Sequence, residues 1–279
     1  KNKIVVLGAN GFVGSNISKI LIEQDNVVKN ITRNECDFNS VDSVEYLIQN
    51  IDDNDIVVLA FAKAPVKNWD MFLENICMIN NVIKGLNTKD IKYILNISSD
   101  AIYSDSIDPL NEKSLIGPDS PHGIMHATRE YLINKNFRCK LGHLRPTLIY
   151  GANDPHNGYG PNLFLRSALE NKTINLFGKG EELRDHIHVN DVAFLANKMI
   201  EKEFVGEINA VSGTLYSFKN IAEIVRDKYE NKIEIICNKR NGPMPHNGYR
   251  EFSNELIKNY FPEMQFQSLE NYFSEYFEK

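Results

Sequence analysis

Lys3-Ile4-Val5-Val6-Leu7-Gly8-Ala9-Asn10-Gly11-Phe12-Val13-Gly14 is the stretch whose reading decides the fold. Residues 3–7 form a short β-branched run, suited to a strand buried on both faces of a parallel sheet. Glycines then fall at the spacing Gly-x-x-Gly-x-x-Gly, and apolar residues recur with helical period from 12 to 22. Each glycine has a physical task in a dinucleotide-binding turn. Gly8 permits the tight turn, Gly11 lets the backbone approach a pyrophosphate, and Gly14 lets helix and strand pack closely. A tight turn with no ligand would also use glycine. The order strand, loop, helix makes the dinucleotide reading the stronger one.

Outward from this stretch, strand and helix patterns alternate. Strands are expected at 27–32, 55–60, 91–97 and 140–144, with helices at 40–50, 69–86 and 120–136. Alternation of this kind predicts right-handed crossovers and an α/β fold, a doubly wound parallel sheet of the Rossmann type. After Arg145-Pro146 the pattern loosens, and 151–162 is rich in Gly, Pro, Asn and Asp. The dinucleotide-binding domain is therefore placed at 1–146, with 185–212 returning to it. A small C-terminal substrate-binding lobe is placed at 147–184 and 213–279. Ligands in such folds sit beyond the carboxyl ends of the strands, so Ser98-Ser99 and the 146–162 loop are expected to meet at one cleft.

Composition narrows the partners. The 279 residues carry a net charge of −6, which gives no reason to expect nucleic acid or an anionic membrane. The longest apolar run, 56–62, is too short to cross a bilayer. Cys36, Cys77, Cys139 and Cys237 are scattered without metal-like pairing, as expected of reduced thiols in a cytoplasmic protein.

With these motifs in hand, the chain resembles the extended short-chain dehydrogenase/reductases, specifically their nucleotide-sugar epimerase/dehydratase group, along nearly its whole length. Gly8, Asn10, Gly11, Phe12, Val13 and Gly14 match the cofactor loop. Asp37-Phe38 resembles the pair that contacts adenine, Ala60-Phe61-Ala62 the strand end beside the cofactor, and Asn75 the helix asparagine. Ile97-Ser98-Ser99-Asp100-Ala101-Ile102-Tyr103 is similar to the catalytic Ser/Thr strand. Arg184-Asp185-His186-Ile187-His188-Val189-Asn190-Asp191-Val192 is similar to the distal signature. The resemblance implies a nicotinamide cofactor, a nucleotide-diphosphate sugar as substrate, and a homodimer through the helices at 69–86 and 120–137. Its leading implication is C4 epimerisation with a resident nicotinamide, with 4-keto-sugar reduction or 4,6-dehydration as the alternative.

One site departs sharply. The family places Tyr-x-x-x-Lys at the start of the helix after the Ser/Thr strand. Here that stretch reads Pro121-His122-Gly123-Ile124-Met125-His126, so His122 takes the Tyr position and His126 the Lys position. An imidazole needs no neighbouring cation to exchange a proton near neutrality, whereas a phenol does. Losing Tyr and Lys together is therefore coherent, and His126 is left to meet a ribose hydroxyl. Three readings follow: His122 as acid/base, a binding protein whose hydride chemistry has lapsed, or a histidine pair holding metal. The last lacks the third ligand and the neighbouring Glu that zinc hydrolases use.

Ser99 is expected to orient the reacting hydroxyl. Asp100 falls where dehydratases carry an acidic proton donor, but the next residue is Ala101, half of the usual acid pair. Arg184 and Arg250 resemble the arginines that grip the diphosphate, Asn162 is expected to donate to it, and His156 reads either as a sugar contact or as a structural loop histidine. The second strand ends Ile31-Thr32-Arg33 with no carboxylate, which favours NADP over NAD unless Arg33 stacks on adenine.

Overall fold

The computed structural model describes residues 3–230 and 232–277; residues 1, 2, 231, 278 and 279 of the predicted domains lie outside them. Strand β1 (Lys3–Leu7) feeds helix α1 (Phe12–Glu23). Then follow β2 (Val27–Ile31), α2 (Asp42–Asn50), β3 (Ile56–Leu59), α3 (Trp69–Leu86), β4 (Tyr93–Ile97), α4 (Pro121–Asn136) and β5 (Lys140–Pro146). The chain continues through β6 (Leu148–Tyr150), α5 (Pro161–Leu169), β7 (Ile174–Phe177), β8 (Leu183–His188), α6 (Val189–Lys202) and β9 (Gly206–Ala210). It ends with β10 (Leu215–Ser217), α7 (Phe218–Lys228), β11 (Ile235–Asn238), β12 (Tyr249–Arg250), α8 (Glu255–Tyr260) and α9 (Leu269–Phe277).

The main sheet runs β2-β1-β3-β4-β5-β9, parallel throughout. Alternate side chains feed two cores. Ile4, Val6, Val58 and Leu95 pack with Ile17 and Leu21 of α1 and Leu195 of α6 on one face. Val5, Leu7, Val57 and Leu59 pack with Leu47, Ile79 and Val82 on the other. Burial on both faces is why the strands read as unbroken apolar runs. Strand order reverses at β1, which puts the crevice for a ligand at its carboxyl end.

A second, four-stranded sheet runs β10-β8-β12 with β6 on β8, and β7 pairs β11. Around them lies a third core of Phe164, Leu176, Phe218, Val225 and Phe273. The sequence-based boundary at 185 cuts through β8. Residues 183–188 pair with β10, β12 and β6 in the second sheet, and the chain rejoins the main layer only at α6, packed on α1. Among the described residues no helix is long and apolar enough to cross a membrane.

Two helix starts position the site. Asn68 caps α3 by accepting from Met71 N at 2.9 Å, and Ser120 caps α4 by accepting from Gly123 N at 3.1 Å. A Cβ on Gly123 would stand 2.1 Å from the Ala101 carbonyl oxygen. That close approach seats the first turn of α4, with His122, against the segment that follows Ser99.

Candidate active site

The glycine turn is built by sterics. Gly8 has φ +87, and a Cβ there would come within 2.9 Å of the Ala60 and Phe61 backbone. A Cβ on Gly14 would lie 2.3 Å from the Gly8 carbonyl oxygen, so α1 packs on the turn through bare backbone. Gly11 differs. Its φ of −71 suits any residue, and the nearest atom to an added Cβ is at 3.3 Å. That atom is the Gly8 carbonyl oxygen, which would have to give by a few tenths of an ångström, a far milder crowding than at Gly8 or Gly14. Gly11 is exposed at the N-terminus of α1, so its missing side chain makes room for something outside the chain.

That something faces a cleft of about 630 Å³ between the two sheets. The cleft is lined by Gly11, Phe12 and Val13 of the glycine turn, Ala60, Phe61 and Ala62 after β3, Ser99 and Asp100 after β4, His122 and His126 of α4, and His156, Arg184 and Arg250 of the second lobe. The His122 and His126 rings meet edge to face at 4.7 Å. Burial, reinforced by His156, pushes the His122 imidazole below its usual range, while Asp100 opposes the shift. His126 is driven further down by complete burial, with His122 and Arg129 adding to it. Both rings are therefore neutral at pH 7. Val66 N donates to His122 Nδ1 at 3.4 Å, which leaves the proton on Nε2 in this conformation. His126 Nδ1 is buried without a partner among the described residues. An orphaned ring nitrogen in the same cleft as the bare backbone of Gly11 fits a site that takes a polar group of a dinucleotide.

The arginines of the cleft are held by ion pairs. Arg250 is buried, with Nε donating to Asp100 Oδ2 at 3.1 Å and Nη1 to Asp105 Oδ1 at 3.0 Å. Asp105 also meets His246 Nδ1 at 2.5 Å. Arg184 donates to Glu182 at 2.8 Å and to the Pro245 carbonyl at 2.6 Å, and Glu182 also binds Arg240 at 2.5 Å. Ser99 Oγ accepts from Ala101 N at 3.1 Å, which aims its hydroxyl along the start of the loop.

Several residues that the sequence suggested for cofactor and substrate stand elsewhere. The Asn75 amide bonds the backbone of Lys63 and Met71, so it shapes the segment after β3 and does not reach the cleft. Asn162 accepts from Gly151 N and donates to Asp154, which commits its amide to bracing the 151–162 loop. Phe38 is buried against Phe61 at 4.7 Å between ring centroids. Asp37, Arg33 and Asn10 are exposed outside the cleft lining. Asp185 and His246 also line the cleft and carried no assigned role in the sequence. Asp185 accepts from Thr147 Oγ1, from Ser212 N and Oγ, and from Gly213 N, all at 2.7–3.0 Å. Burial pushes its carboxyl up to about 6. It stood beside Arg184 in the quoted motif, whereas His246 lies in a loop whose pairing with Asp105 spans 141 residues. Among the described residues no three His, Cys, Asp or Glu come together as a metal site.

Replacing Gly11 by Val is expected to abolish binding of NAD and NADP while the protein stays folded. Calorimetric titration checks this, and undiminished affinity for both would sink the role given to the turn.

A parallel sheet with a glycine turn at its switch point and a largely apolar cleft carrying a few histidines, carboxylates and arginines defines a dinucleotide-binding α/β protein. The NAD dependent epimerase/dehydratase family matches residues 4–211, and the chain belongs to that family of nucleotide-sugar enzymes. A protein of Methanocaldococcus jannaschii described as a candidate UDP-glucose 4-epimerase is 28% identical over 262 residues, covering 85% of each chain. The fold is also that of UDP-glucose 4-epimerase from Thermotoga maritima, solved with UDP-glucose (TM-score 0.86, 20% identity, 99% of this chain and 97% of that one). UDP-N-acetylglucosamine 4-epimerase from Methanobrevibacter ruminantium, in complex with UDP-N-acetylmuramic acid, superposes with TM-score 0.85 at 21% identity over 100% and 97% of the chains.

Proposed function

We propose that this chain inverts a sugar carbon of a nucleotide-diphosphate sugar, C4 epimerisation being the reaction its site suits best. One observation carries the reading: the glycine turn, the histidine pair, Ser99 and the two arginines open onto a single cleft. A nicotinamide bound there supplies hydride acceptance and return. The chain's own part is positional and protonic. Ser99 orients the sugar hydroxyl, and His122 takes its proton at Nδ1 once the hydroxyl replaces the long Val66 contact. His126 offers its free ring nitrogen to a ribose hydroxyl. Arg184 and Arg250 receive the diphosphate by exchanging donors that Glu182, the Pro245 carbonyl, Asp100 and Asp105 hold without it, and a guanidinium fork suits that exchange.

Dehydration fits less well, because Asp100 is engaged by Arg250 and Ala101 brings no second carboxylate. A second reading, a protein that holds a nucleotide sugar without converting it, draws support from the Val66 N–H resting on His122 Nδ1. Incubation with UDP-glucose and analysis of the recovered sugar separates the two. Epimerised sugar supports the first, and tight binding of an unchanged sugar supports the second.

Arg184→Ala is expected to weaken UDP-glucose binding by about 2–4 kcal/mol through loss of a charged hydrogen bond in a desolvated site. Glu182 keeps Arg240 as its partner, so the fold is expected to tolerate the change. Calorimetry reads the loss. Binding of free glucose as tight as that of UDP-glucose would remove the diphosphate from the account.

A further inference from the structure

Asp100 touches both the group given to the diphosphate and a group given to the sugar. On one side its Oδ2 accepts from Arg250 Nε at 3.1 Å, and its backbone carbonyl accepts from Arg250 Nη2 at 2.8 Å. Arg250 lies on β12, 150 residues further along the chain, and is buried. On the other side Asp100 Oδ1 stands 3.5 Å from the Ser99 hydroxyl. The close approach of Gly123 to the Ala101 carbonyl seats the first turn of α4, with His122, against the same segment. Among the described residues the titratable groups that act on the His122 ring are Asp100, His156 of the 151–162 loop and His126 of its own helix. Asp100 is the one carboxylate of the three. Arg250 is shared in turn: Nη1 donates to Asp105 Oδ1 at 3.0 Å and stands 3.3 Å from His246 Nδ1. Arg184 of β8 lies in the field of both carboxylates. In this arrangement the charge of Asp100 is countered by Arg250.

We propose that Asp100 is a positioning residue that couples the two parts of the cleft: a diphosphate that takes the Arg250 donors uncovers the Asp100 carboxylate toward Ser99 and His122. The inference rests on the diphosphate reading of Arg250. A phosphate accepts through two oxygens at once, which suits the guanidinium fork better than the single oxygen that Asp100 gives it. Asp100, no longer countered, favours the protonated imidazole and draws on the Ser99 proton more strongly. The ring is then a stronger base while the substrate is in place and a weaker one while it is not. Turnover at limiting substrate reports the uncoupled ring, and turnover at saturation the coupled one.

NMR titration of the imidazole signals of the full chain, with and without UDP, tests this, the His122 signal being identified by its loss in His122→Phe. UDP carries the diphosphate and no sugar, so it probes Arg250 apart from proton transfer. In wild type His122 is expected to titrate about one pH unit higher with UDP bound, the lower end of the effect of a close opposite charge. In Asp100→Asn the two titrations should coincide. UDP should also bind that variant about 10-fold tighter, because the Arg250 donors lose a charged competitor. Arg250→Gln uncovers Asp100 permanently, so His122 should titrate at the higher pH with no UDP present. Weaker UDP binding in Asp100→Asn would overturn the inference and make Asp100 a brace for Arg250. A rise as large in Asp100→Asn as in wild type would overturn it too, since the diphosphate would then act on His122 directly. If folded wild type does not bind UDP, the diphosphate reading falls and the coupling with it.

Discussion

Turnover of a nucleotide sugar should fall about 10²–10⁴-fold in His122→Phe while affinity for the dinucleotide stays nearly intact, the range expected when a general base is removed. The ring of Phe fills the same space against His126, so the loss isolates the proton acceptor. The pH dependence has a definite sign. Burial favours the neutral imidazole and moves His122 below 6.5, with Asp100 only partly opposing. Activity at limiting substrate should therefore drop on the acid side, with a midpoint below 6.5, and stay flat between pH 7 and 9. A rate that keeps climbing through pH 8–9 would point to a different acceptor. His122→Tyr should rescue poorly, because His126 is neutral and supplies no charge to lower a phenol from about 10. Full turnover in His122→Phe on an identified substrate would end the imidazole mechanism.

Glu130→Gln is expected to destabilise the fold by about 3–5 kcal/mol, the cost of breaking a buried ion pair from one side. Arg145 donates through Nε and Nη2 to the two Glu130 oxygens at 2.9 and 2.6 Å, and both side chains are almost fully buried. A neutral amide would leave the guanidinium without its counter-charge while the Tyr103 hydroxyl, its other partner, stays in place. The pair joins α4 to β5, so it also seats the helix that carries both histidines. Denaturant unfolding should read the loss, against a total that for domains is about 5–15 kcal/mol. A change below about 1 kcal/mol would mean that water reaches the pair and the burial argument is wrong.

The elements that bind the cofactor turn were legible because their signals are local. The β-branched run at 3–7, the three glycines and the apolar period of α1 lie within one stretch, and α3 begins after its Asn68 cap and ends at Leu86 as its pattern predicts. Strand β5 runs two residues past the expected 144, because Arg145 is buried by an ion pair that hydropathy cannot register. The second sheet was invisible for a different reason. Its strands β6, β10 and β12 are two or three residues long, and pairing with β8 defines them. Side-chain identity also left commitment unresolved. Asn75 and Asn162 are amides with several possible partners, and only the folded chain reveals that backbone and loop carboxylate take them. Glu35 is the reverse case: beyond the end of β2 in sequence, it bonds Thr32 at that end in space.

Asp185 collects its donors from Thr147, Ser212 and Gly213, which flank the two places where the chain passes between the sheets, and Thr147 N also donates to the Ala210 carbonyl at 3.1 Å. The cleft thus has a spine, stitched by one carboxylate, along which its walls do not part. Asp154, Pro155, His156 and His246 also line the cleft, and the pairing of His246 with Asp105 ties a loop 141 residues away to the segment after Ser99, a second stitch beside the first.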